Sequence, residues 1–216
     1  MRDGIGSLRS GAFCRLPQLR CRLGVIVENR IVVLGLGNLL LGDEGLGTRA
    51  LERLIDHYDV PPEVTLVDGG VLGLELLSYI EDATHLLVLD AVQSGNAPGT
   101  LVCLDGRQVQ AALAVKLSMH QLSFQEVLAM SALRGITPRY SVVCGLEPMP
   151  LEVGLDLSDP VRQALPVLVE AAVSRLCEWG VALQPKRVDT KEAATRPQFG
   201  WRIETATPTD DRPGGE

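Results

Sequence analysis

From residue 31 onward, short runs of aliphatic and β-branched residues alternate with segments of helical period. This alternation is the strongest constraint on the fold, because parallel strands are buried on both faces and need a crossover helix between them. The predicted strands are 31–35, 64–68, 85–92, 100–105 and 140–148, and the predicted helices are about 45–59, 72–81, 123–134 and 158–179. The sequence therefore predicts an α/β fold, a three-layer α/β/α sandwich around a mostly parallel central sheet of about five strands.

The predicted strand 100–105 differs from the others in how it is connected. Only the residues SGNAPG separate it from the preceding strand, which is too short a link for a crossover helix. We therefore expect it to pair antiparallel at an edge of the sheet. In the last predicted helix, Pro160 lies where a first-turn proline is tolerated, whereas Pro166 lies inside and is expected to kink or split the helix.

The regular pattern covers only the middle of the chain. Residues 1–30 are rich in Arg and follow neither a helical nor a strand period, so we interpret them as a disordered leader or as the product of a start codon upstream of the true one. Residues 31–180 are predicted to form a single α/β/α domain. Residues 181–216 lose all periodicity and are rich in Pro, Thr and charge, and are predicted to be a disordered tail.

Charge and cysteine usage narrow the class of protein. The net charge is −7, and residues 31–180 carry eight basic against nineteen acidic side chains, which argues against nucleic-acid binding. No apolar run is long enough for a membrane span. The five cysteines are scattered without a CxxC pair, which favours a reduced, cytoplasmic protein.

The first strand leads into the glycine-rich segment GLGNLLLGDEGLG, residues 35–47, and then into a helix. Its spacing matches neither the dinucleotide fingerprint nor the P-loop. Asp43 and Glu44 would moreover place negative charge where a phosphate must bind. The loop is better suited to a cation.

Four ionisable residues are expected to meet at the carboxyl ends of the parallel strands, where open α/β sheets bind their ligands. They are Glu44, Asp68, Asp90 and His120. Glu, Asp and His together suit a borderline divalent metal such as nickel or zinc. The helix predicted just after His120 disfavours the imidazolium form, which keeps the ring able to bind metal. Three ligands, Glu44, Asp90 and His120, would leave coordination positions open.

Other titratable and nucleophilic residues have structural interpretations. Asp43 is more typical of a helix N-cap than of a ligand, and His57 and His85 are typical of structural histidines. No G-x-S-x-G elbow occurs. Cys103, Cys144 and Cys177 lie in predicted strands or a helix, where buried inert thiols are the usual case.

Four segments in order resemble the maturation endopeptidases of nickel–iron hydrogenases. They are GLGNLLLGDEGLG (35–47), DGGVLGLELL (68–77), HLLVLDAV with APGTL (85–92 and 97–101), and MHQLSFQEVLA (119–129). The resemblance covers residues 31 to about 180 and implies an α/β/α protease domain there. It further implies trimming of a C-terminal extension from the hydrogenase large-subunit precursor after nickel insertion.

By the same resemblance, Glu44, Asp90 and His120 would contact nickel that the precursor presents, and zinc or cadmium could occupy the site in isolated protein. The second motif often has Thr after Asp-Gly-Gly, whereas Val71 stands here, so a role for that hydroxyl does not carry over. Asp68, Gly69 and Gly70 are retained.

The mechanism and the class of function leave alternatives open. In one mechanism the metal polarises the scissile carbonyl or activates water, and Glu44 or Asp90 assists proton transfer. In the other the metal only docks the substrate, and Asp68 or Asp43 does the acid–base work. The alternative functions are a nickel-sensing assembly factor that does not hydrolyse its partner and a nucleotide-dependent oxidoreductase.

Overall fold

The computed structural model of the protein describes residues 29–70, 72–106, 124–150 and 154–186. The elements within these ranges are, in chain order, β1 (Ile31–Leu36), a 3-10 turn (Gly42–Gly45), α1 (Leu46–His57), β2 (Tyr58–Asp59), β3 (Val64–Gly70), α2 (Leu76–Asp82), β4 (His85–Ala91), β5 (Leu101–Asp105), α3 (Phe124–Leu133), β6 (Tyr140–Leu146), α4 (Asp159–Glu178) and β7 (Gln184–Pro185).

Five strands form the central sheet in the order β3-β1-β4-β6-β5. All neighbours pair parallel except β5, which runs antiparallel to β6 at one edge. The predicted fold class is confirmed, including the antiparallel edge strand that the short connection required.

Two hydrophobic cores, one on each face of the sheet, make the three layers. On one face, α1 and α4 pack through fully buried side chains such as Leu54 and Leu168. On the other face, α2 and α3 contribute Ile80 and Val127. Since burying one such leucine or isoleucine stabilises the fold by about 1.5–3 kcal/mol, both cores contribute substantially to stability.

Helix α4 continues through its internal proline. It runs without interruption from Asp159 to Glu178, so Pro166 does not split it, and the expected kink stays a prediction. Proline removes one backbone hydrogen bond, but Leu165, Leu168 and Leu176 are buried on both sides of it and hold the helix on the sheet.

The compact unit extends beyond residue 180, where the sequence predicted the domain to end. Val181 and Leu183 are buried in the core. Strand β7 pairs antiparallel with β2, and the unit ends at Lys186. A strand of two residues carries no sequence period, which is why the sequence did not show it. The predicted leader up to residue 28 and the tail from residue 187 lie outside the described residues.

Cys103 and Cys144 form a disulfide between the neighbouring strands β5 and β6. They lie directly opposite each other in the register, with their Cα atoms 4.2 Å apart. The expectation of inert free thiols is therefore wrong for this pair and for Cys177, which is also disulfide-bonded. The cytoplasmic location inferred from cysteine usage stays a prediction.

None of the helices in the described ranges combines the length and the apolar character that crossing a membrane requires.

Candidate active site

Glycines allow the turn after β1 to lie directly on the ends of the strands. Gly37 has φ +126°, and a Cβ there would lie 1.7 Å from the carbonyl oxygen of Glu44. A Cβ on Gly47 would lie 2.0 Å from the carbonyl oxygen of Leu89 in β4. The glycines of this segment therefore serve close packing of backbone on backbone, which explains a glycine-rich loop without a phosphate.

Asp43 is buried in this turn and is fully hydrogen-bonded. The residue is 7% exposed. It accepts hydrogen bonds from the backbone N–H of Met149 at 2.9 Å, from the N–H of Ser158 at 2.7 Å and from the Ser158 hydroxyl at 2.7 Å. Asp43 lies inside the 3-10 turn and makes no side-chain cap there, so its interpretation as an N-cap is wrong. Its carboxylate instead binds loops far away in sequence.

Glu44, the next residue, is in a different position. It is half-buried, and within the described ranges its side chain has no hydrogen-bond or salt-bridge partner. It lines a cavity of about 150 Å³ whose walls are residues 41–44 and 148–150 together with Gly154, Asp156 and Ser158. Glu44 is thus the carboxylate of this turn that is available to a ligand.

The structure separates two of the predicted site residues. Asp68 and Leu89 both align with Gly35 in the sheet, so they share a face, and Leu89 packs into the core under α1 and α4. The Asp68 carboxylate accordingly accepts a hydrogen bond from the hydroxyl of Thr48 in α1, at 3.1 Å. Asp90 follows Leu89 and points to the opposite face, because successive side chains alternate along a strand. Asp68 therefore does not join Asp90 in one cluster.

Asp68 lies in an acidic environment that also affects Glu52 on α1. Burial raises the pKa of Glu52, Arg49 opposes this, and the negative charges of Asp68 and Asp56 raise it further. The net result is a Glu52 pKa above its ordinary value, as desolvation and like charges predict. Because the Asp68 carboxylate is held by Thr48 of α1, any supporting role of Asp68 in proton transfer would be on the face of the sheet that α1 covers.

Asp90 is half-buried near the carboxyl end of β4, and its carboxylate accepts the N–H of Ala91 at 2.8 Å. The loop that follows is anchored by Glu147, which is 7% exposed. Glu147 accepts hydrogen bonds from the N–H groups of Ser94, Gly95 and Asn96 and from the Ser94 hydroxyl. Burial alone would raise the pKa of Glu147, but the hydrogen bonds outweigh it and hold the pKa below its ordinary value.

His120 lies outside the described residues, so the structure does not place it. Among the residues that are described, no three His, Cys, Asp or Glu side chains form a group that could hold a metal. The predicted trio of Glu44, Asp90 and His120 stays a prediction.

His57 and His85 lie away from this edge of the sheet. The His57 Nδ1 is 2.9 Å from the carbonyl oxygen of Arg53, one turn back in α1. His85 opens β4 at the amino end of the sheet and is buried against Tyr140, with the ring centroids 4.7 Å apart. Their geometry agrees with structural roles.

Sequence reasoning missed the roles of Glu147, Ser158 and Met149 at this edge. The signal in the sequence for Glu147 was an acidic residue directly after the hydrophobic run of a predicted strand. For Ser158, its position before a helix indicated a cap, but its hydroxyl donates to Asp43 and makes no side-chain cap bond.

The fold and this edge define a class: an α/β/α protein with an available acidic side chain and a small cavity at the carboxyl ends of its parallel strands. A family model described as HycI, hydrogenase maturation protease, matches residues 48–175. The chain belongs to the hydrogenase maturation protease family, and it is an enzyme of that protease class.

Individual relatives agree with the family model. The hydrogenase expression/formation protein HupD of Bradyrhizobium diazoefficiens is 40% identical over 77% of this chain and 88% of its own length. The hydrogenase 2 maturation protease of Escherichia coli is 37% identical over 73% of this chain and 96% of its own length. The solved structure of the hydrogenase maturating endopeptidase HybD from E. coli matches with a TM-score of 0.69 at 37% identity, covering 73% of this chain and 98% of that one.

Proposed function

We propose that the protein is an endopeptidase that removes a C-terminal extension from the nickel-loaded large-subunit precursor of a nickel–iron hydrogenase. Glu44, Asp90 and His120 recognise the nickel that the precursor presents. Membership in the maturation protease family supports the reaction class, and the structure of the carboxyl edge supports the choice of residues.

The difference between Asp43 and Glu44 carries this proposal. Glu44 is only half-buried and has no partner in the described ranges, so its carboxylate can bind a ligand without first breaking a hydrogen bond or ion pair. Asp43 beside it is satisfied by three donors. Glu44 is therefore the acid of the motif that is suited to binding a cation.

Asp90 lies on the face of the sheet where a third ligand from the start of α3 would approach. Val127 of α3 packs in the core of that face together with Val88 and Val92, the residues two positions before and after Asp90. The side chain of Asp90 shares this face by strand alternation.

The direction of α3 supports His120 as that third ligand. Arg134, just after α3, pairs with Glu81 near the end of α2 at 3.0 Å. Helix α2 ends just before β4 begins, so the end of α3 lies toward the amino end of the sheet. The start of α3 at Phe124 then lies toward the carboxyl end, and His120 precedes it by four residues.

A mixed set of two carboxylates and one imidazole suits nickel and leaves coordination positions for groups of the precursor. Nickel held by these residues would supply Lewis-acid chemistry at the scissile carbonyl or at a water, and Glu44 or Asp90 would move the proton. The alternative acid–base residue is Asp68, whose carboxylate lies on the α1 face and is held by Thr48. In isolated protein, zinc or cadmium would occupy the same ligands.

The test is mass spectrometry of the cognate large-subunit precursor, prepared with and without nickel and incubated with the purified protein. Loss of a C-terminal peptide only from the loaded precursor is expected. Cleavage that is independent of nickel would refute metal recognition. A stable complex with a verified loaded precursor that stays full length would favour the non-hydrolytic assembly factor.

A further inference from the structure

We infer that Asp43 is a positioning residue: its buried carboxylate fastens the turn that carries Glu44 to the opposite wall of the cavity. The inference rests on the proposed function, because it concerns how Glu44 is held for the metal. It assigns Asp43 a role different from acid–base catalysis.

The hydrogen bonds of Asp43 span the cavity. Met149 and Ser158, which donate to it, are 106 and 115 residues away in sequence, and both line the cavity together with Glu44. One carboxylate thus connects the turn after β1 with the segment after β6 and with the residue that precedes α4.

Backbone contacts tie the same two walls together. Leu41 forms an isolated parallel bridge with Gly154. The N–H of Gly42 donates to the carbonyl of Gly154 at 2.6 Å, and the N–H of Gly154 donates to the carbonyl of Leu40 at 3.2 Å. Asp43 adds a side-chain anchor at the residue directly before Glu44 in sequence.

The turn itself needs such an anchor. It is a 3-10 segment of four residues with no side-chain cap, and short 3-10 turns have poorer hydrogen-bond geometry than α-helix. Its position therefore depends on contacts from outside. The Asp43 side chain accepts from two backbone N–H groups and one hydroxyl, so both carboxylate oxygens are occupied by the scaffold.

A substitution at Ser158 tests the inference without changing a residue of the turn. Ser158→Ala removes one donor to Asp43, and Asp43→Asn replaces one acceptor oxygen by a donor that cannot pair with a backbone N–H. Residues that orient metal ligands typically cost about 10–100-fold in metal affinity or activity when changed. We expect a loss of about 10-fold or more in Ni²⁺ affinity for Asp43→Asn and a smaller loss for Ser158→Ala.

The experiment measures Ni²⁺ binding by calorimetry on the tag-free full chain, together with kcat and KM for nickel-dependent cleavage. The variants are Asp43→Asn, Ser158→Ala, their double mutant and Glu44→Gln. Ser131→Ala is the matched control, because it removes a buried hydroxyl that donates to the carbonyl of Ile136, away from the cavity. Thermal unfolding is recorded for each.

The inference requires that Asp43→Asn and Ser158→Ala both weaken Ni²⁺ binding, that their effects are non-additive in the double mutant, and that Ser131→Ala lowers only thermal stability. If Asp43→Asn fails to fold, the Ni²⁺ affinity of Ser158→Ala alone tests the inference. Unchanged Ni²⁺ affinity in a folded Asp43→Asn, with Glu44→Gln impaired, would overturn the inference only. Unchanged affinity in Glu44→Gln would overturn the proposed metal site itself.

A loss of cleavage in Asp43→Asn with normal Ni²⁺ affinity and an inert Ser158→Ala would overturn positioning in favour of acid–base catalysis by Asp43.

Discussion

Ionisable residues at the two ends of the parallel sheet lie in different environments. At the amino end, His85 is enclosed by Tyr140 and Trp179, and its Nδ1 is 2.9 Å from the hydroxyl of Thr84. At the carboxyl end, Glu44 lies beside a cavity without a partner in the described ranges. The ionisable ring of His85 at the amino end is satisfied by its neighbours, whereas the carboxylate of Glu44 at the carboxyl end is available to a ligand. This difference is what separates a structural edge from a functional one.

The largest expected effect is a loss of precursor cleavage in the Glu44→Gln variant. Loss of a metal-contacting carboxylate is expected to lower kcat/KM for the nickel-loaded precursor by at least about 100-fold, with thermal stability nearly unchanged. Glu63→Gln is the control from the amino end, where Glu63 is exposed just before β3, and it should cleave normally. Equal activity of the two variants would remove the proposed distinction between the ends.

A large loss of stability is expected for Gly37→Ala. The added Cβ would meet the carbonyl oxygen of Glu44 at 1.7 Å, at a φ that alanine rarely adopts. The expected destabilisation exceeds about 1 kcal/mol, measured by chemical denaturation. Gly95→Ala separates the two causes, since Gly95 also has a positive φ but nothing within 4 Å of the Cβ. If the two variants are equally destabilised, close packing of the turn is not the reason for Gly37.

A moderate effect is expected for Glu147→Gln. The amide oxygen can replace one carboxylate oxygen, but the amide NH₂ faces backbone donors, so the free energy of unfolding should fall by about 1–3 kcal/mol. Because the pKa of Glu147 is lowered in the folded protein, its ionised form stabilises the fold above the ordinary carboxyl pKa. That contribution is lost as the pH falls through the folded pKa. Denaturation at pH 7 and pH 4 checks this, and the variant should lose less stability on acidification than the parent.

The smallest effect is expected from His85→Phe at the amino end. Burial, and then the nearby positive charge of Arg139, lower the pKa of His85. A neutral ring is therefore favoured in the fold, so its contribution is present above the unfolded pKa of about 6.5 and is lost as the pH falls toward the folded pKa. Thermal unfolding at pH 7.5 and pH 5.5 should show a weaker pH dependence in the variant, with normal cleavage. An unchanged pH dependence would show that His85 does not titrate with unfolding.

Much of the fold was predictable from periodicity alone. The strand predicted at 31–35 is observed as Ile31–Leu36, and the helix predicted at about 158–179 is observed as Asp159–Glu178. Each of these patterns is local, because a buried strand or an amphipathic helix repeats over a few residues. The pair β2 and β7 has only two residues per strand and no such repeat, so residues 181–186 were missed.

The site was only partly predictable for a different reason. The sequence indicated that Glu44, Asp68 and Asp90 follow or end neighbouring strands, and the structure places them near that edge. It did not show that Asp68 and Asp90 lie on opposite faces of the sheet, because this depends on the register between β1 and its neighbours.

The sequence by itself determined the α/β alternation, the antiparallel edge strand and the family, since these depend on local period, connection length and ordered motifs. Only the tertiary structure decided which of two adjacent acids is held and which is available. Asp43 is bound by Met149 and Ser158, more than 100 residues away, and no local pattern encodes such a contact. The physical reason is that a carboxylate is satisfied by the donors that folding brings to it, and those donors come from other parts of the chain.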